Sequence, residues 1–174
     1  MSGKGRIIND KNLHGRIEFS NIFFAYPTHP EKPICYDFNL TVDAGKSIAL
    51  VGPSGSGKST IARFLLRFYD PLQGSVLIDG TPLKELNISW WRSKIGYVEQ
   101  EPRLFPGTLY ENIAFGKSNH NVDDGGSSNV SKEEIVEAAK VACAHDFIMD
   151  LPDAYDTYFS GTGVQLSGGQ MQST

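Results

Sequence analysis

Residues Gly52 to Ser59 read Gly-Pro-Ser-Gly-Ser-Gly-Lys-Ser, and that order of types suits one kind of chemistry, the holding of a polyphosphate. Glycines at 52, 55 and 57 let the backbone curl until successive N–H groups point inward at an anion, with the positive end of a following helix behind them. Lys58 adds a compact cation for the outer phosphates, and the Ser59 hydroxyl is of the type that ligates a bridging Mg²⁺. The candidate contact set is therefore Gly52, Pro53, Ser54, Gly55, Ser56, Gly57, Lys58 and Ser59, with Thr60 adding at most a hydrogen bond. The alternative, a chance glycine-serine loop, is weakened because every fixed position of G-x-x-x-x-G-K-[ST] is filled and the flanking pattern is right.

That flanking pattern supplies the elements that must position the loop. Ser47 to Val51 is a short apolar run that reads as a buried central strand. Thr60 to Tyr69, with Ile61, Leu65, Leu66 and Phe68 at helical spacing, predicts a helix. Gly15 to Tyr26 alternates apolar, aromatic and branched residues and predicts a strand. Tyr36 to Val42, Gly74 to Asp79 and Ile95 to Val98 predict three more, with a short helix around Trp90 and Trp91 whose rings are packing residues. Ser131-Lys132-Glu133-Glu134 is a capping box that predicts a helix from Lys132 to about Met149. The stretch 117–130, rich in Gly, Ser, Asn and Asp, reads as a mobile surface loop. The pattern as a whole implies a polar linker over residues 1–14, then an α/β core with the phosphate loop over 15–100 and a helical lobe over 101–174.

Bulk properties exclude several classes. A net charge of −4 and a pI near 5.5 give no basic surplus for a nucleic-acid backbone, so no nucleic-acid partner is expected. The two cysteines, Cys35 and Cys143, match no metal or disulfide spacing and read as small buried hydrophobes. No run approaches the roughly 20 apolar residues that span a bilayer, and Met1 to Asp10 is too polar for a secretory signal.

The phosphate loop leaves kinases, GTPases, helicases and transporters open. Leu166 to Gln170, LSGGQ, narrows the choice. With that pentapeptide downstream of the loop, the chain resembles the nucleotide-binding domain of ABC transporters. The stretches IEFSNIFFAYPTHP, IGYVEQEPRLFPGTLYENIAFG, EAAKVACAHDFI and LP-x-x-Y-x-T make it most similar to the multidrug-exporter type, the B subfamily, from about Gly15 to Gln170. The resemblance implies a P-loop NTPase (RecA-like) α/β core with an antiparallel β subdomain and an inserted helical subdomain, C-terminally incomplete. It implies ATP and Mg²⁺ as ligands, a second ABC nucleotide-binding domain in a head-to-tail dimer, the transmembrane domain of an exporter as a further partner, and a place on the cytoplasmic face of a membrane.

Residue by residue, the resemblance implies that Tyr26 stacks on adenine rather than merely packing. Gln100 would touch the Mg²⁺ or the attacking water, joining Ser59 at the metal. Ser167, Gly168, Gly169 and Gln170 would cap the ATP held by the opposite subunit. Beyond LSGGQ the family continues to an apolar strand ending in Asp-Glu and then a histidine, where Met171-Gln172-Ser173-Thr174 stands here. Without the Walker B aspartate, the catalytic glutamate and the switch histidine, this chain alone is expected to turn over ATP negligibly. The segment FSGTG, Phe159 to Gly163, also lacks the acidic residue usual in such exporters. The leading expectation is ATP binding as the engine of an ABC-type exporter. The alternatives are a non-hydrolysing ATP-binding regulator that pairs with a complete ABC domain and, against LSGGQ, a small-molecule kinase.

Overall fold

A computed structural model describes residues 5–100, 103–117, 130–160 and 168–173. They form two compact units, residues 1–96 and 97–174.

The first unit is built on an antiparallel sheet in the order β2-β1-β3-β4, from β1 (Ile17–Ala25), β2 (Pro33–Val42), β3 (Gln73–Ile78) and β4 (Thr81–Pro82). β1 is central because it is the most apolar strand, with Phe19, Ile22, Phe24 and Ala25 all buried. Where β1 and β3 slip register between Ser20 and Phe23, Gly74 sits at φ +82°, and a Cβ there would lie 2.3 Å from the Ser20 carbonyl oxygen. The β3–β4 hairpin turns on Asp79 and Gly80, both at positive φ as a two-residue type I′ turn requires. Asp79 then reaches back to accept from the amides of His14, Gly15 and Arg16 at 2.8, 3.0 and 2.9 Å.

Helix α1 (Lys58–Leu65) packs on this sheet through Ile61 and Phe64, three residues apart and both buried. The Phe64 ring meets Phe24 edge-on at 5.0 Å, and such a contact at full burial makes loss of the ring cost about 3–5 kcal/mol. The helix is shorter than Thr60 to Tyr69 because Arg67 turns left-handed at φ 51°, and the Phe68 amide bonds back to the Arg63 carbonyl at 2.9 Å. The predicted short helix is α2 (Ile88–Arg92). Its Trp91 indole donates to the Leu65 carbonyl at 2.6 Å and its Arg92 Nε to the Leu66 carbonyl at 2.9 Å, so α2 satisfies the free carbonyls that end α1. The tryptophans are packing residues, as their sequence setting suggests.

The residues expected to form a polar linker are docked on this unit. Arg6 pairs with the residues around Leu86, its amide on the Glu85 carbonyl at 2.7 Å and its own carbonyl accepting from Asn87 at 2.9 Å. Ile8 and Leu13 lie against the core, and Lys94 pairs with Asp10 at 2.8 Å.

Two expected strands are absent. Ser47 to Val51 and Ile95 to Val98 form no ladder with any described residue, and Val51 is 92% exposed and Val98 69%. An apolar run becomes a strand only when another strand supplies its hydrogen bonds, and no described residue supplies them here.

In the second unit, β5 (Gly107–Thr108) pairs with β6 (Tyr158–Phe159), and α3 (Leu109–Phe115) follows β5 directly. Thr108 and Glu111 form a reciprocal capping box at the start of α3. The box read at Ser131 is present too: Glu134 N donates to Ser131 Oγ at 3.2 Å, and Ser131 N donates to the Glu134 carboxylate at 3.1 Å. The helix it opens is interrupted, however, giving α4 (Lys132–Val141) and α5 (His145–Met149). Cys143 stands between them at φ 56°. Its amide bonds to Lys140 O at 3.0 Å and that of Ala144 to Ala139 O at 2.7 Å, a Schellman closure on a non-glycine residue. Cys143 is consequently exposed, not buried as expected, whereas Cys35 is buried. Leu109, Ile135, Ala139, Ala144, Ile148 and Tyr155 form the core of this unit. The expected loop at 117–130 falls almost wholly outside the described residues.

Candidate functional site

The loop from Gly52 to Gly57 leads directly into α1, whose first residue is Lys58. Gly55 and Gly57 both lie at positive φ, +80° and +88°. At Gly57, the residue just before the helix, a Cβ would meet Ile34 Cγ2 at 2.9 Å, so both backbone conformation and space require glycine. At Gly52 a Cβ would press on Ser56 Oγ at 2.8 Å. No side chain caps α1, which leaves the first amides of the helix for another acceptor.

Lys58 folds its side chain back over the loop. Its Nζ donates to the carbonyl oxygens of Gly52 and Pro53, both at 2.8 Å, and to Ser56 Oγ at 3.3 Å. The ammonium thus sits inside the curl of the loop. Ser59, on the first turn of α1, is exposed, while Thr60 is buried. The loop borders an open cleft of about 650 Å³ whose other wall is β2 from Ile34 to Asn39.

Tyr26, just past the end of β1, is half-buried beside α1. Its Oη lies 2.8 Å from Thr60 Oγ1 and accepts from Arg63 Nη1 at 3.0 Å. Its ring packs edge-on against Phe24 at 5.1 Å and Tyr69 at 5.2 Å. The fold therefore brings Tyr26, distant in sequence, to the same first turns of α1 that carry Lys58, Ser59 and Thr60. Arg63 is not singled out by the sequence; the available signal was its three-residue spacing from Thr60 on one helix face.

Gln100 is exposed and lies at a bend in the second unit. Helix α6 (Gly168–Ser173) begins at the first glycine of LSGGQ; nothing crowds Gly168 or Gly169, and Met171 packs on the core of the second unit. Ser167 lies outside the described residues. Among the described residues no group of His, Cys, Asp and Glu could hold a metal by itself, and no helix is long and apolar enough to cross a membrane.

The residues of the first unit fit a polyphosphate with a divalent cation. A loop curled through glycines at positive φ, uncapped amides at the start of α1, an ammonium bonded to oxygen and an exposed hydroxyl on the first helical turn are the donor set that such a ligand needs.

Comparison with known proteins agrees with this. The family described as ABC transporter matches residues 35–174. The chain is 52% identical over 162 residues to ABC transporter B family member 22 of Arabidopsis thaliana, covering 93% of this chain and 12% of that protein. It is 50% identical over 172 residues to ABC transporter B family member 2 of Dictyostelium discoideum, covering 99% and 12%. Among solved structures, a bacterial Atm1-family ABC exporter with ATP bound superposes with a TM-score of 0.81 at 38% identity, over 98% of this chain and 27% of that one. The chain thus spans only about an eighth of the length of these curated relatives. The phosphate loop, the LSGGQ segment and these similarities agree, and the chain belongs to the ABC transporter family, with the fold of an exporter's nucleotide-binding domain.

Proposed function

We propose that this chain binds Mg·ATP through its first unit, as the nucleotide-binding domain of an ABC-type exporter, and couples that binding to transport by a membrane-spanning partner. The observation that carries the proposal is the Lys58 ammonium held over a loop whose Gly55 and Gly57 both take positive φ, at the uncapped start of α1. When phosphate enters, Lys58 exchanges carbonyl partners for phosphate oxygens, which are the stronger acceptors for a cation. The amides of Gly55 to Lys58 turn toward the same oxygens, and Ser59 offers its hydroxyl to the Mg²⁺. Tyr26 provides an aromatic surface for the base.

The remaining candidates belong to the second unit. Gln100 would sense the metal or water. Ser167, Gly168, Gly169 and Gln170 would cover the nucleotide of a second ABC domain in a head-to-tail pair, so that ATP joins two subunits. The B-family relatives and the ATP-bound Atm1-family exporter support this reading.

Calorimetric titration of the full chain with ATP tests it. Binding is expected in the presence of Mg²⁺, and Ser59→Ala should remove most of the difference made by the metal while metal-free binding persists. Equal affinity with and without Mg²⁺ in the unaltered chain would count against Ser59 as a metal ligand, and absence of any ATP binding would refute the proposal.

A further inference from the structure

Thr60 is 3% exposed, yet its hydroxyl is satisfied by Tyr26 Oη at 2.8 Å, across the gap between the end of β1 and the first turn of α1. Arg63, one turn further on, donates to the same Oη at 3.0 Å and places its guanidinium carbon 6.0 Å from the ring centroid. A phenol oxygen has one proton and two acceptor sites. Here the helix engages that oxygen from two sides, so the Tyr26 hydroxyl is already partnered within the protein.

The structure assigns Thr60 and Arg63 as positioning residues for the Tyr26 ring: we propose that they tie the aromatic surface to the phosphate-binding helix as one unit, so that base and phosphates are registered against each other by α1. This rests on the reading above that the base lies on Tyr26. It predicts that the contribution of Tyr26 depends on its hydroxyl although the hydroxyl touches no nucleotide. A ring attached only through β1 keeps its packing on Phe24 and Tyr69 but loses its register with Lys58 and Ser59, which lie on the helix.

The test compares Mg·ATP with Mg·tripolyphosphate, which carries phosphates without a base, by calorimetry on the full chain. Tyr26→Phe and Thr60→Val should each weaken ATP binding about five- to tenfold, the size of one hydrogen bond, while tripolyphosphate affinity changes less than about twofold. The double variant should be no worse than the poorer single one, because both remove the same bond. Thr60→Ser, which keeps the hydroxyl, should restore ATP affinity. Weakening of both ligands alike by Thr60→Val would make Thr60 part of the phosphate cradle and overturn the proposal. If Tyr26→Phe binds ATP as well as the unaltered chain while Tyr26→Ala does not, the tether is refuted and stacking survives. If Tyr26→Ala also binds normally, the base does not lie on Tyr26 at all, and both readings fall.

Discussion

Lys58 Nζ lies 2.8 Å from the carbonyl oxygen of Gly52, six residues before it, and this contact closes the glycine loop on its own cation. The same ammonium reaches Pro53 O and Ser56 Oγ, so the loop closes around a positive charge. A loop held in one conformation loses less freedom on binding, and a phosphate would take the place of these carbonyl contacts.

Replacing Lys58 by methionine keeps the length of the side chain and removes the charge. ATP affinity should fall about ten- to a hundredfold, the range for a hydrogen bond to a charged group. Far-UV circular dichroism should be unchanged. Calorimetric titration beside the unaltered chain checks this, and an affinity loss below about threefold would mean that the ammonium does not contact phosphate.

Asp79 should make the first unit acid-sensitive. Partial burial acts to raise its carboxyl, but the amide donors of Gly15, Arg16 and His14, with the nearby His14 charge, outweigh it and hold the group below the ordinary carboxylate value. A carboxyl lowered in the folded state contributes stability that is complete above its unfolded pKa, about 3.9, and disappears as the pH falls through the folded value. Asp79→Asn should therefore cost about 1–2 kcal/mol at pH 7, with the gap to the unaltered chain closing below about pH 4. Urea denaturation at pH 7 and pH 3 measures it; a gap independent of pH would show that the ionised form contributes nothing.

Cys143 holds a left-handed conformation at the end of α4 that glycine would adopt freely. Such a conformation costs an ordinary residue about 1 kcal/mol or more, so Cys143→Gly should raise the stability of the second unit by up to about 1 kcal/mol. It should also abolish rapid reaction with a thiol reagent, since Cys143 is exposed and Cys35 is buried with its thiol pushed up by desolvation. Thermal unfolding and a timed thiol assay read the two effects separately.

The features written locally in the chain were the ones legible from it. The Gly52–Ser59 loop and the Ser131–Glu134 box are short runs whose chemistry is complete within eight and four residues, and strands β1, β2 and β3 follow their apolar patterns. What escaped depends on partners far away in sequence. Nothing at Ser47 to Val51 tells whether another strand will be present to pair it. The helical pattern past Lys132 runs through Cys143 without a glycine to mark the break. Arg63 joins the site only because β1 ends beside α1, 37 residues away in sequence from Tyr26 to Arg63. The resemblance points to Tyr26, but its engagement with Thr60 was not legible, since a hydroxyl pair between a strand end and a helix has no signature in spacing.

The docking of residues 5–14 has a mechanical consequence. Arg6 is laced by backbone hydrogen bonds to Glu85 and Asn87, and Asn87 is the residue whose side chain caps α2. One turn further, Trp91 and Arg92 of α2 donate to the carbonyls of Leu65 and Leu66 at the end of α1. A tug on the chain at Arg6 is therefore delivered through a continuous line of hydrogen bonds to the tail of the helix whose head carries Lys58. Displacing the segment at Arg6 must break or strain these bonds, so the end of α1 opposite Lys58 is anchored partly by residues that precede the sheet.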